Sequence, residues 1–144
     1  MRDLEFAQRI IETADEYHLT GEHQWNQAIE LEPTDEQSLF EFRRLIRAAL
    51  LFYARAYLIL DMVETDEEQS LEDLMEIIVE ERKEIRDFFS TNDVASTLAE
   101  EGSAEFSRIF SVAEAARSML LQHSNQLAAT LLARFAGHDK SSES

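Results

Sequence analysis

The stretch from Leu45 to Val63 reads LIRAALLFYARAYLILDMV, and as a helix it would be apolar on almost every side. A helix without a polar face has to be enclosed, either by a membrane or by other helices. The stretch contains Arg47, Arg55 and Asp61, and each ionised group costs about 2.5–3.5 kcal/mol near the centre of a bilayer. We therefore expect a central helix that is enclosed by other helices and does not cross a membrane.

The composition favours a single helical domain. The chain has 144 residues, one proline, three glycines and no cysteine. So few proline and glycine residues favour long helices, and the absence of cysteine excludes disulfides, thiolate nucleophiles and cysteine-based zinc sites. No basic segment followed by an apolar one opens the chain, so we expect a cytoplasmic protein.

The formal net charge of −17 results from 30 acidic and 13 basic residues. A field of this sign repels nucleic acid unless the basic residues are clustered, so DNA is not an expected partner. Three interpretations of the acidity stay open: adaptation of the surface to a high-salt host, mimicry of nucleic acid by carboxylates, or ordinary solvated helix faces.

Apolar residues repeat at helical spacing along most of the chain. Capping boxes are expected at Thr34 with Gln37 and at Thr65 with Glu68. The pattern predicts an all-α, up-and-down bundle of four main helices plus one or two short ones, with the second main helix innermost. This domain spans residues 1–137, and a disordered polar tail follows over 138–144. The predicted helices cover 2–18 (ended by Gly21), 22–32, 35–63, 70–89, part of 90–101 (capped near Asn92, with Gly102 after its end) and 103–136 (ended by Gly137).

Arg47 and Arg55 lie eight positions apart, so on a helix they point within about 80° of each other. They could face one cleft. In one interpretation each arginine reaches the rim of the bundle or pairs with a carboxylate. In the other, the two form a cationic pocket that binds an anionic ligand or an RNA phosphate.

Acidic residues dominate the exposed face of the predicted helix over residues 70–89, but they do not form a recognisable metal site. Residues 80–87 read EERKEIRD, which predicts a solvated, salt-bridged helix face. The nearest candidates for metal ligands are Asp15 with His18 and Glu22 with His23, and neither is the Glu-x-x-His pair of carboxylate-bridged metal bundles. We predict no metal, no cofactor and no hydrolytic nucleophile.

The segment Arg117-Ser118-Met119-Leu120-Leu121-Gln122-His123 places an arginine and a histidine six positions apart on the last helix. Together with the apolar stretch RAALLFYARAYLIL, it resembles the Arg-x(4–6)-His motif and the second helix of the HEPN (higher eukaryotes and prokaryotes nucleotide-binding) families. Ser118 stands where those families usually have Asn, Asp or His.

The HEPN resemblance implies a homodimer whose cleft collects both Arg–His pairs for metal-independent RNA cleavage, or a degenerate copy that only binds RNA or nucleotides. His123 would then act on the 2′-hydroxyl or the leaving oxygen, and Arg117 would stabilise charge on the phosphate. The other interpretation is that His123, which lies on the apolar stripe of the helix, is a core or interface histidine bonded to a carbonyl group.

The residues outside this motif favour binding over catalysis. No nucleophile, metal or phosphate-loop pattern stands out, so we predict a non-catalytic protein that acts by binding another protein, with a basic protein as its possible partner. Surplus apolar side chains on the central helix predict a homodimer. An RNase or RNA-binding module is the alternative. The side chains on which the homodimer prediction rests are Phe52, Tyr53, Tyr57 and Leu58.

Overall fold

The protein is an all-α bundle in the parts of the chain that the computed structural model describes, which are the backbone of residues 2–99 and 104–143 and the side chains of residues 3–99 and 104–135. None of the helices described there is long and apolar enough to cross a membrane. The helices are α1 (Arg2–Ile29), α2 (Glu36–Leu60), α3 (Leu71–Glu81), α4 (Lys83–Thr91), α5 (Val94–Thr97) and α6 (Phe106–Glu143).

The central position of α2 is confirmed, because this helix packs against α1, α3 and α6. Phe42, Ile46, Tyr57 and Leu58 of α2 have no exposed surface. Burying a large apolar side chain stabilises a fold by about 1.5–3 kcal/mol, so α2 supplies a large share of the core energy. Trp25, which we expected in the core, is 5% exposed and belongs to the same cluster.

Helix α1 continues through Gly21, so the predicted end of a helix at this glycine is wrong. An added Cβ at Gly21 would lie 3.1 Å from the Ala49 carbonyl oxygen of α2. Ala7, Ala14 and Ala28 are also fully buried, which places a small residue at every seventh position of α1. Gly21 therefore permits two helix backbones to approach closely, and a single glycine weakens a helix by only about 1 kcal/mol.

The two capping boxes lie one residue and five residues after their predicted positions, respectively. At the start of α2, the Ser38 backbone N–H donates to the Asp35 carboxylate (2.7 Å), and the Asp35 N–H donates to the Ser38 hydroxyl (3.2 Å). At the start of α3, Ser70 and Asp73 form the same reciprocal pair at 3.2 and 3.1 Å. The predicted N-caps at Thr34 and Thr65 are wrong. Each connection contains several side chains that can cap a helix, and the sequence does not show which one the helix uses.

The predicted helix over residues 70–89 is two helices, α3 and α4, separated at Arg82. The Arg82 backbone is extended (φ −126°, ψ 108°) although no glycine or proline is present. Ile85 and Phe89 would continue the apolar stripe of α3 in a straight helix, so periodicity does not reveal the break. Tertiary contacts favour it, because Arg82 reaches Asp61 at the end of α2 (3.5 Å) while Ile85 and Phe89 enter the core.

The helices after α4 also differ from their predicted bounds. The short helix α5 follows Asp93, which has a left-handed backbone (φ 52°), rather than a cap at Asn92. Helix α6 continues past Gly137 to Glu143, so helical backbone occupies residues 138–143, where we expected a disordered tail. The position predicted for Gly102 lies outside the described residues.

Candidate functional site

Arg117, the arginine of the predicted motif, is held by side chains from two other helices. Its Nε donates to the Tyr53 hydroxyl (3.0 Å), and its Nη2 donates to Glu22 Oε1 (3.1 Å). The guanidinium also lies 5.1 Å from the centre of the Trp25 ring and 5.3 Å from that of Tyr53. Arg117 thus connects α6 to α1 and α2.

His123, the histidine of the motif, lies half-buried one and a half turns further along α6. Six positions on a regular helix separate two side chains by about 120° around the axis. No hydrogen bond joins the His123 ring to another described residue. Within the single chain, the hydrogen bonds of Arg117 are therefore directed to α1 and α2 and not to His123.

Arg47 binds two segments at once. Its two terminal nitrogens donate to both oxygens of Glu72 (2.6 and 2.9 Å), and Nη1 also donates to the Leu98 carbonyl oxygen (2.7 Å). The hydrogen bond from Arg47 is the main reason that the pKa of Glu72 is lowered. Arg47 thus ties the start of α3 and the end of α5 to α2, which agrees with the interpretation that it pairs with a carboxylate.

Arg55 contacts a different part of the chain. Its Nη2 donates to the carbonyl oxygens of Asp66 (3.4 Å) and Glu67 (3.1 Å) in the connection between α2 and α3, and its guanidinium lies 5.9 Å from the Phe52 ring centre. Arg47 and Arg55 are therefore bonded to separate segments of the chain, and the structure does not bring them together on one ligand-sized pocket.

Two further arginines also donate hydrogen bonds to backbone carbonyl groups of another segment, and the sequence did not reveal these contacts. Arg43 donates to the Ala104 carbonyl oxygen (3.2 Å), and Arg108 donates to that of Asn92 (3.1 Å) at the end of α4. The last carbonyl groups of a helix have no partner within it, so side-chain donors there stabilise the helix end. Arginines of α2 and α6 thus hold the connections that run from α2 to α6.

Residues 61–93 form what we call the acidic edge, which comprises the connection after α2, then α3, α4 and the turn that follows. This stretch contains 13 acidic and three basic residues, whereas residues 106–135 of α6 contain one acidic residue and three arginines. The negative charge is therefore concentrated in the part of the chain that contains α3 and α4, and little of it lies on residues 106–135 of α6.

The salt-bridged face that we expected on this edge is not formed among the described residues. Lys83 and Arg86 make no ion pair there, and Arg82 pairs with Asp61 from the end of α2 instead of with an acid of its own helix. The pKa of Glu81 is raised, chiefly because its carboxyl group is hydrogen-bonded to that of Asp61. On α3 and α4, the exposed carboxylates without a hydrogen bond or an ion pair in the described structure are those of Glu76, Glu80, Glu84 and Asp87.

The described side chains do not include a group of three or more histidine, aspartate or glutamate residues arranged to hold a metal ion. No protein-family model matches the chain, and no curated protein or solved structure is significantly similar to it.

Proposed function

We propose that this protein acts without catalysis, by binding a basic surface of another protein through the acidic edge. The observation that carries the proposal is the use of the arginines. Arg43, Arg47, Arg55, Arg108 and Arg117 donate hydrogen bonds within the chain. The carboxylates of Glu76, Glu80, Glu84 and Asp87 on α3 and α4 are exposed and have no such partner among the described residues.

A basic protein fits this edge because opposite charge steers association and selects among partners. Glu76 and Glu80 lie four residues apart on α3, and Glu84 and Asp87 lie three residues apart on α4, so each pair follows one side of its own helix. Nucleic acid would be repelled by the same field.

The proposal is tested with a peptide of alternating arginine and serine as the probe. The variant with Glu76→Gln, Glu80→Gln and Glu84→Gln removes three charges from the acidic edge. We expect its affinity for the peptide to be roughly tenfold weaker at low salt, since surface charge pairs contribute up to about 0.5–1 kcal/mol each. Isothermal titration calorimetry at two salt concentrations measures this.

The matched control removes three exposed charges from α1, with Glu5→Gln, Glu12→Gln and Glu16→Gln. Its net charge equals that of the edge variant, so it separates local binding from the overall field. The proposal predicts that the control binds the peptide about as well as the wild type. Equal weakening in both variants, or no binding of the peptide to the wild type, would contradict it.

A homodimer is the second part of the proposal. Of the side chains that first suggested it, Tyr53, Tyr57 and Leu58 are buried within the single chain, and Phe52 is half-buried. The remaining support is the outer side of α2, where Phe40 is 58% exposed and Leu51 is partly exposed. Sedimentation analysis should show a dimer, and Phe40→Ser should weaken its association. A wild-type protein that stays monomeric at high concentration would contradict the homodimer proposal.

RNA cleavage or RNA binding of the HEPN type is the alternative. In its favour, Arg117 and His123 lie on one helix and both retain partial exposure. Against it, Arg117 is engaged by Tyr53, Glu22 and Trp25. The test is RNA cleavage in EDTA by the wild type and by His123→Ala. Cleavage that the substitution abolishes would establish the alternative and overturn the non-catalytic proposal.

A further inference from the structure

A cleft of about 500 Å³ opens in the acidic edge, between α3, α4 and the start of α5. It lies beside the two positions at which the helical backbone is interrupted, Arg82 and Asp93. Its floor is apolar, formed by Met75 (7% exposed), Phe89 (8% exposed) and the half-buried Val79. Ligand-binding clefts of proteins are typically of this size and are lined mainly by apolar side chains.

The rim of the cleft carries charge. Glu76 and Asp93 are exposed, and their carboxylates have no hydrogen bond or ion pair among the described residues. Glu72 also lines the cleft, but Arg47 already pairs with it. Arg86 is the single basic residue among those that line the cleft, so the rim keeps an excess of negative charge.

From this arrangement we infer that the cleft is the anchor site for a basic segment of a partner protein, which inserts one large apolar side chain between α3 and α4. The inference rests on the proposed function. Interfaces concentrate their binding energy in a central apolar pocket that a polar rim surrounds. Here the pocket lies inside the acidic edge, so its occupant combines an apolar anchor with flanking arginine or lysine residues.

The test uses two synthetic peptides that differ in one residue. Both alternate arginine and serine, and in one of them a central serine is replaced by phenylalanine. Burial of a phenylalanine side chain should make the second peptide bind the wild-type protein at least about tenfold more tightly. Equal affinity of the two peptides would overturn the anchor site, even if both bind with the salt dependence that the acidic edge predicts.

Two variants of α5 test whether the apolar anchor of the peptide binds in the cleft. Ala95 lines the cleft and is exposed, so Ala95→Trp fills the space without touching the core. Ser96 is the exposed neighbour that does not line it, and Ser96→Trp is the matched control. Ala95→Trp should abolish the preference for the phenylalanine peptide, and Ser96→Trp should keep it. A preference that survives Ala95→Trp would place the anchor elsewhere and overturn the inference.

Arg86 provides an independent check, because a cation on the rim opposes a basic segment. Arg86→Gln should strengthen the binding of both peptides about two- to threefold at low salt. Weaker binding of the basic peptides after this substitution would show that they do not lie beside Arg86, and it would overturn their placement on this rim. If neither peptide binds the wild type at all, the proposed function fails together with this inference.

Discussion

Arg117 joins the three longest helices of the bundle through a single side chain. It donates to Tyr53 of α2 and Glu22 of α1, and it lies over the Trp25 ring. Burial raises the pKa of the Tyr53 hydroxyl, although the hydrogen bond from Arg117 acts in the opposite direction. The hydroxyl thus stays neutral and accepts from the arginine, and this bond links α6 to α2.

Replacement of Arg117 should therefore destabilise the fold. Arg117→Ala leaves the buried Tyr53 hydroxyl without its donor and removes two cation–π contacts, and we expect the free energy of unfolding to fall by about 2 kcal/mol. Arg134→Ala is the control, because Arg134 is exposed on the same helix and makes no hydrogen bond or ion pair among the described residues; its guanidinium lies 5.7 Å from the centre of the Phe135 ring. Urea denaturation measures both variants, and equal losses would contradict a structural role for Arg117.

His18 of α1 lies partly buried next to the same group of side chains. Its ring centre lies 6.0 Å from that of Tyr53, and its Nε2 is enclosed without a hydrogen-bond partner in the described structure. Burial lowers the pKa of His18 below its ordinary value of 6.5, and the charges of Asp15 and Glu22 offset this only in part. The folded protein therefore favours the neutral ring.

This shift makes the stability depend on pH. Between pH 7 and the lowered pKa the unfolded chain binds more protons at His18 than the folded chain does, so the free energy of unfolding should fall as the pH drops below about 6.5. His18→Gln should flatten this slope between pH 7.5 and 5.5. His23→Gln, at an exposed position of α1, is the control and should leave the slope in place. An unchanged slope in His18→Gln would contradict the assignment.

Some individual residues could be predicted from the sequence and others could not. Trp25 was expected in the core and lies there, because a large aromatic residue between helical apolar positions has few other places. Arg117 was selected by its spacing to His123, but its partners lie 64 and 95 positions away. Spacing along one helix contains no information on such pairs.

The end of α2 shows how a helix is terminated without glycine. The Val63 N–H donates to the Leu58 carbonyl oxygen (2.8 Å), and the Met62 N–H donates to that of Ile59 (2.9 Å). This is the Schellman pattern, in which the residue after the cap adopts a left-handed backbone. Here that residue is Met62 (φ 62°), for which the conformation is unfavourable.

Met62→Gly should accordingly stabilise the protein. Glycine adopts the left-handed backbone without strain, and the Met62 side chain is half exposed, so little buried surface is lost. We expect the free energy of unfolding to rise by about 1 kcal/mol. Ala48→Gly, inside the same helix with ordinary helical backbone, should lower it by about 1 kcal/mol. A loss of stability in both variants would rule out the proposed strain at Met62.

At the level of the helices, apolar periodicity was enough to predict the all-α class and the central position of α2. It failed where a contact distant in sequence decides the local backbone. Gly21 was predicted to end a helix because the local sequence does not show its contact with Ala49, which lies on another helix. The break at Arg82 was missed because its cause, the packing of Ile85 and Phe89 and the contact with Asp61, is tertiary.

The molecule uses its few basic residues mainly inside its own fold. Eleven of the 13 are arginines, and a guanidinium can donate to two acceptors at once, as Arg47 and Arg117 do. As a result, few basic side chains remain to form ion pairs with the carboxylates on the surface. Adaptation to high salt would spread acids over every exposed face, whereas here they are dense along α3 and α4 and sparse along α6. This asymmetry favours a binding surface.

The position of that surface can be measured directly by backbone amide chemical shifts during titration with the arginine–serine peptide at low salt. The account predicts that the amides of residues 64–93 shift in proportion to bound peptide and that those of residues 107–134 do not, because the carboxylates lie along α3 and α4. Shifts concentrated on α6 around Arg117 and His123, or spread evenly over all helices, would contradict the assignment of the acidic edge as the binding site.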